Sequence, residues 1–416
     1  MDYMQILVWI AFYSSLYILI FWLLTFFEKG LLTETKKIKY FPMVTIAIPA
    51  YNEEKNIIET VNSVLALDYP KNKLEIIVID DGSKDNTLNV INKYLKTNKY
   101  NNVKVIHQEN AGKGAALNNA IKNSKGEFFV CLDADSSVAP DALRKMVPHF
   151  SDKKVAVVLP LMKIQSPKSL LQKLQWCEYL LNFFYKSLMS VLDCVHVAPG
   201  PFSAYRKSIL HEVGGFAEHN LTEDLEVSLK IQKKHYKLLQ LLDAEVYTKA
   251  PVTFKAFCKQ RNRWYKGTLI NLFDYRNMIF NKKYGDFGML QLPRVMFSGF
   301  LAVSFILLTS YRYVFKPLYK HIVNWNAINF DFTVFLSNLE FPFTWFDINY
   351  TNLFFALVSI TLALIIINYA YSFTREKVFK YGFVSVPLYI LVYGMLAAFV
   401  WLTVFVDLAR GKRQKW

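Results

Sequence analysis

Phe128-Phe129-Val130-Cys131-Leu132-Asp133-Ala134-Asp135 is a short apolar run that ends in two carboxylates two residues apart. In a β-strand, positions i and i+2 point to one face, so if the strand frays just after Leu132, Asp133 and Asp135 can converge on one ion at its carboxyl end. Mg²⁺ and Mn²⁺ are hard cations that take oxygen donors, and Mg²⁺ commonly sits on one or two carboxylates plus substrate phosphates. The pair therefore points to Mg²⁺ or Mn²⁺ and to a diphosphate substrate. Two acids at a strand end also make an ordinary solvated loop, so the surrounding sequence decides.

From Met43 to about Pro160, short β-rich runs alternate with polar helical segments: Val44 to Ile48, Leu74 to Ile79, Val103 to Ile106, Phe128 to Leu132 and Val155 to Leu159. That alternation predicts a mostly parallel sheet covered by helices. In such sheets ligands bind beyond the carboxyl ends of the strands, and the unusual polar residues lie there. They are Pro49-Ala50-Tyr51-Asn52-Glu53-Glu54, Asp80-Asp81-Gly82-Ser83, Asn110-Ala111-Gly112-Lys113-Gly114, and the Asp133 and Asp135 pair. Each has a bland explanation as a turn or helix cap, but four at corresponding strand ends are hard to obtain by chance. A carboxylate there can accept a uracil N3–H, Tyr51 can pack on the base, and Lys113 can meet negative charge.

Ile48-Pro49-Ala50-Tyr51-Asn52-Glu53, Val78-Ile79-Asp80-Asp81-Gly82-Ser83 and Asp133-Ala134-Asp135 resemble the nucleotide-sugar half of family 2 glycosyltransferases of the GT-A fold. The resemblance implies an α/β, Rossmann-like domain in which Pro49, Tyr51, Glu53, Asp80 and Asp81 serve the uridine. Asp133 would then serve the diphosphate and, with Asp135, the metal. Pro199-Gly200-Pro201-Phe202-Ser203-Ala204-Tyr205-Arg206 resembles, more loosely, the family segment beneath the acceptor sugar. Thr222-Glu223-Asp224 opens a helical pattern running to about His235. Thr222 can simply cap that helix, or the three residues are the family's Thr-Glu-Asp motif with Asp224 as catalytic base and Glu223 beside the substrate. Gln260-Arg261-Asn262-Arg263-Trp264 matches the family's Q-x-x-R-W pattern. It implies that Gln260, Arg261, Arg263 and Trp264 bind substrate. Arg263 would grip the diphosphate with its planar fork of donors and Trp264 would offer the acceptor an aromatic platform. The same basic, aromatic stretch also suits an interfacial anchor.

The chain has 416 residues, 53% of them hydrophobic and 16% aromatic, more apolar than a soluble protein usually is. Met4 to Phe27 carries no charge and is long enough to cross a bilayer, and the positive charge at Lys29, Lys36, Lys37 and Lys39 follows it. By the positive-inside rule the N-terminus is outside and the next domain cytosolic. Lys168 to Ser190 puts Leu170, Leu174, Cys177, Leu181, Phe184 and Leu188 on one helical face, as an interfacial helix or an ordinary domain-packing helix would. The expected domains are a spanning helix over residues 4–27, a cytosolic catalytic domain with interfacial helices over 41–285, and a membrane region of about three spans over 289–408.

Within the last region, Val295 to Tyr311, Ile348 to Thr374 and Tyr381 to Val406 are uncharged. If each crosses once, the C-terminus falls outside, yet Arg410, Lys412, Arg413 and Lys415 argue for inside. Either the last segment, with Pro387 and Gly394, turns back as a re-entrant hairpin, or the aromatic stretch from Phe330 to Trp345 enters the membrane.

The 49 basic residues against 33 acidic ones are scattered beside apolar segments, which argues for membrane lipids and phosphate rather than nucleic acid. Cys131, Cys177, Cys194 and Cys258 show no metal or paired spacing, as reduced cytosolic thiols would.

The resemblance extends to poly-N-acetylglucosamine, hyaluronan and cellulose synthases. It implies an inverting, processive β-glycosyltransferase of the plasma membrane that uses UDP-N-acetylglucosamine or UDP-glucose, polymerises the sugar and passes the chain across the bilayer. The closest alternative is a non-processive enzyme with a lipid acceptor. A membrane scaffold with a lapsed catalytic domain is a rival of another class, weakened by the retention of Asp133, Asp135, Asp224 and Arg263.

Overall fold

Strands form where β-branched and aromatic residues predominate, because such side chains fit a pleated, largely buried surface. In the computed structural model, which describes residues 3–31, 38, 40–98, 100–327 and 350–411, the first four runs become β1 (Val44–Ala50), β2 (Leu74–Asp81), β3 (Val103–Gln108) and β4 (Phe128–Cys131). They lie parallel in the order β3-β2-β1-β4, with Val44 opposite both Leu74 and Phe128. One register and one direction bring the loops after Ala50, Asp81, Gln108 and Cys131 to a single edge.

The sheet continues through β5 (Ser137–Val138), β6 (Val155–Ile164), β7 (Ser203–Arg206) and β8 (Lys237–Thr248), giving the order β3-β2-β1-β4-β7-β6-β8-β5. β7 is antiparallel to β4 and β6, β5 is antiparallel to β8, and β6 and β8 are parallel. The mostly parallel α/β architecture expected from the sequence is therefore present, with an antiparallel insertion at its centre. β7 drapes the Pro199-to-Arg206 segment against the strand that carries Asp133.

Helix Leu170–Val191 departs from the one-faced pattern. It is capped by a reciprocal Ser169/Gln172 box and buries Gln175, Glu178, Lys186 and Ser187 along with its apolar residues. It is sandwiched: Ser190 Oγ bonds the Leu238 carbonyl of β8, while Trp176 meets Tyr371 and Tyr381 edge-on from the other side. Protein on both sides, rather than lipid on one, explains the buried polar positions.

Four helices among the described residues are long and apolar enough to cross a membrane: Phe12–Lys29, Phe287–Ser304, Leu353–Phe373 and Val378–Ala409. The chain is a membrane protein. Helix Tyr3–Lys29 runs parallel to Tyr350–Phe373, with Phe12 against Phe355 at one end and Phe26 against Tyr369 and Phe373 at the other. The latter end abuts the α/β domain through Trp22–Tyr185 and Phe26–Phe184 contacts. Lys36, Lys37, Lys39, Phe330 to Trp345, Lys412, Arg413 and Lys415, which entered the topology argument, lie outside the described residues.

Candidate active site

The loops after β1 and β2 hold each other. Asn52, in the left-handed region, donates its backbone N–H to Ser83 Oγ and accepts from Lys84 N–H, while Glu53 N–H reaches Thr87 Oγ1. Tyr51 stands 43% exposed beside them, a ring free to stack, and Pro49 closes β1 opposite Ile79. Gly82 has φ +68°, and a Cβ there would lie 2.7 Å from the Asn110 backbone nitrogen. Only glycine lets the second and third loops meet so closely.

Asp80 and Asp81 divide their labour. Asp81 is spent on structure: its carboxylate accepts Gln108 Nε2 at 2.7 Å, Ala111 N–H at 3.0 Å and Gly112 N–H at 2.9 Å. These three bonds tie the loop after β3 to the end of β2 and leave Asp81 one acceptor site, on Oδ2. Asp80 pairs with His107 Nδ1 through Oδ2 at 2.7 Å, and its buried Oδ1 has no hydrogen-bond partner among the described residues.

The loop anchored by Asp81 delivers Lys113 to the centre. Its Nζ lies 2.6 Å from Asp133 Oδ1 and 3.4 Å from Glu223 Oε1, so one ammonium joins the D-x-D and the Thr-Glu-Asp segments, which are 90 residues apart in sequence. Burial disfavours its charge, but Asp133 and then Glu223 outweigh burial and hold the Lys113 ammonium well above its ordinary range. Gly200 closes the cluster from below: a Cβ there would collide with Lys113 Nζ and lie 2.8 and 2.9 Å from the two Asp133 oxygens.

Asp135 is pushed up to about 6, by burial first and then by Asp133 and Glu53. Among the described residues no group of three or more His, Cys, Asp or Glu side chains forms a metal cage. Two crowded carboxylates whose mutual repulsion a divalent cation would relieve nevertheless suit an ion that shares its shell with phosphate oxygens.

Thr222 does not cap helix Glu223–Lys233 with its side chain; its Oγ1 accepts Asn271 Nδ2 at 2.9 Å instead. Helix Phe254–Asp274 thus fixes the start of the Asp224 helix, and Gly267 lets it come close enough to do so. Asp224, pushed up to about 6 by burial and then by Glu223, sits within the field of Lys113 and Arg263. Arg263 donates to the Leu221 carbonyl at 3.5 Å.

The neighbouring Arg261 takes a different course. It is buried, its guanidinium 2.6 Å from Glu178 Oε2 and stacked 4.2 Å from the Trp264 ring centre. The structure therefore removes Arg261 from the open site and assigns it to the joint between helices Phe254–Asp274 and Leu170–Val191; one face of Trp264 is covered by it. Gln260 is half-buried, with an Oε1 lacking a partner among the described residues.

Gly200 lies in the segment that the sequence singles out, but its closeness to Asp133 is not readable from it; Glu178 escaped sequence reasoning although it carried a signal, since a lone acid in an apolar helix needs a buried partner.

Residues 45–214 match the family model for Glycosyl transferase family 2. The chain is 29% identical over 326 residues to a poly-beta-1,6-N-acetyl-D-glucosamine synthase of Staphylococcus epidermidis, covering 78% of this chain and 74% of that protein. It is 36% identical over 226 residues to the protein of the same name from Staphylococcus aureus strain COL, covering 54% of each. A mannosyltransferase from Pyrobaculum calidifontis, solved in complex with GDP-Man and Mn²⁺, superposes with a TM-score of 0.56 at 23% identity, over 66% of this chain and 75% of that one; this likeness concerns the fold.

Proposed function

From a family 2 glycosyltransferase domain at residues 45–214, we propose that this membrane protein builds a β-linked polysaccharide from a UDP-sugar, with UDP-N-acetylglucosamine as donor. The choice of sugar is supported by the names of the two staphylococcal relatives. The carrying observation for the chemistry is the Lys113 bridge between Asp133 and Glu223, which brings a diphosphate end and an acceptor end within one side chain's reach.

In this reading Tyr51 stacks on the uracil and Asp80, which keeps an unfilled acceptor, takes its N3–H. Glu53 flanks the site. Asp133 and Asp135 hold Mg²⁺ or Mn²⁺, which when bound neutralises charge on the diphosphate. Lys113 and Arg263 face the same phosphates. Asp224 accepts the proton of the acceptor hydroxyl as its oxygen attacks C1 from the face opposite the diphosphate. The C1–O bond breaks, its electron pair leaves with UDP, and configuration at C1 inverts. Glu223 keeps Lys113 in place, and the free side of Trp264 supports the acceptor sugar. Catalysis faces the cytosol, the N-terminus lies outside, and the helical region beyond residue 289 gives the product a path.

Purified protein in lipid vesicles, given each UDP-sugar in turn with UDP release followed, tests the proposal. UDP-N-acetylglucosamine should be turned over fastest and yield a labelled ladder removed by a polysaccharide hydrolase. Label that extracts entirely into organic solvent as one low-mass species would replace the polymer with the lipid acceptor.

A further inference from the structure

The last apolar segment creates the conflict noted in the sequence: as a span it strands a basic tail outside. The segment does not fold back as a hairpin. The segment is one helical run, Val378–Leu388, Tyr389–Tyr393 and Gly394–Ala409, with a single π-turn near Pro387. Its contacts with the catalytic side extend from end to end. Just before it, Glu376 pairs with Lys163 of β6 at 2.9 Å. Tyr381 then meets Trp176, Tyr393 meets Phe257, Trp401 stacks on Tyr265 at 4.5 Å, and Asp407 accepts Asn262 Nδ2 at 3.2 Å.

Residues 381 and 407 are about 39 Å apart along a helix axis, more than the ~30 Å hydrocarbon core. A crossing helix would carry one of them to the far surface. Both instead touch the helices under the catalytic domain, Leu170–Val191 and Phe254–Asp274, which are tied to each other by Arg261–Glu178 and to the Asp224 helix by Asn271. Helix Tyr350–Phe373 behaves differently: its end meets helix Leu170–Val191 through Tyr371 on Trp176 and Phe373 on Phe184, whereas Phe355 near its start packs on Trp9.

The side chains sort by face. Gly382, Val386, Tyr393, Val400 and Val404 are buried, whereas Phe379 and Phe383 are 85% and 77% exposed and Leu391, Met395 and Phe399 continue their stripe. Tyr381, Tyr389, Tyr393 and Trp401 recur along the whole length. Tyr and Trp favour the interfacial depth.

We propose that Val378–Ala409 does not cross the bilayer but lies along the leaflet next to the catalytic domain, its Phe379-to-Phe399 stripe bedded in lipid. The tail from Arg410 then emerges on the domain's side, in accord with its charge. The inference rests on the membrane reading above and not on the sugar chemistry.

Single cysteines at Phe383, Leu391, Phe399 and Val406, introduced into full-length protein with Cys258→Ser, would be spin-labelled in lipid vesicles. Their depths are read from collisions with oxygen and with a water-soluble nickel chelate. Similar depths at all four positions, together with a C-terminal reporter on the domain's side, are expected. A progressive change of about 24 Å between residues 383 and 399, the helical rise over that interval, would overturn the proposal. So would a central extreme of depth, as in a hairpin, or a tail on the opposite side. UDP release in the same vesicles is read separately, so a failed sugar assignment leaves the depth result standing.

Discussion

Gly200→Ala asks whether the Lys113 cluster is the working centre. The added methyl would overlap Lys113 Nζ and lie 2.8 and 2.9 Å from the Asp133 oxygens, where ordinary contact begins at 3.4 Å. Asp133 must therefore give way by roughly half an ångström, and Lys113 by more. Lys113 has little freedom to do so, because it is held by Glu223 at 3.4 Å as well. Misplacement of a reacting group by about 1 Å costs of the order of 10² in rate, so a tenfold to hundredfold loss of kcat is expected. The fold should suffer less: overpacking by one methyl costs about 1–3 kcal/mol.

The assay is steady-state UDP release from purified protein in vesicles, with thermal unfolding of the same preparation. Gly394→Ala is the control, since a methyl there meets nothing within 4 Å and alanine suits a helix better than glycine. Gly200→Ala with wild-type kcat and an unchanged unfolding midpoint would refute the assignment, because it would mean that the pair Gly200 supports is not engaged in turnover.

Asp224→Asn should lower turnover ~10² to 10⁴-fold while leaving UDP binding nearly unchanged by calorimetry; loss of UDP binding would remove it from the role of base. Since Asp224 must be ionised to accept a proton and is held at about 6, the rate should be flat above pH 7 and fall with acid through about pH 6. Removing the second cause of that rise, by Glu223→Gln, should move the acid limb to lower pH. Asp135→Ala should abolish the difference in UDP affinity between Mn²⁺ and chelator, and persistence of that difference would dismiss the metal assignment. Glu178→Gln leaves the Arg261 charge buried without its partner, which should cost about 3–5 kcal/mol. An unfolding midpoint within a degree or two of wild type would contradict a structural role for the pair.

What was readable in the sequence was what local chemistry imposes. β1 to β4 and β6 announced themselves as short runs rich in β-branched and aromatic residues, broken only by Thr45, Glu75 and Lys104, and the strand-end motifs stood out because the apolar runs stop at them. β7 was not legible: Ser203-Ala204-Tyr205-Arg206 carries no apolar alternation, and it is a strand because β4 and β6 offer it edges to pair with. The same limit governed the site. Lys113, Asp133, Glu223 and Asp224 could be named from motifs, yet that Lys113 spans two of them depends on the Asp81 anchor beneath its loop, a contact between strand ends 30 residues apart.

Arg261 and Arg263 show why a motif cannot assign its own members. On a helix, residues two apart point in divergent directions, so one arginine of the pair was bound to leave the face presented by the other. Arg263 stays near Leu221 and Asp224, and Arg261 turns into the helix interface, where only an acid could stabilise it. Glu178 sits on the helix that also carries Lys186, a buried lysine pulled down to about 7 by burial despite the opposing field of Asp224. The helix under the sheet therefore contributes one charge that locks it to Arg261 and another that lies within the field of Asp224. A shift of that helix would therefore alter the charge around Asp224 through Lys186 as well as the joint with Arg261.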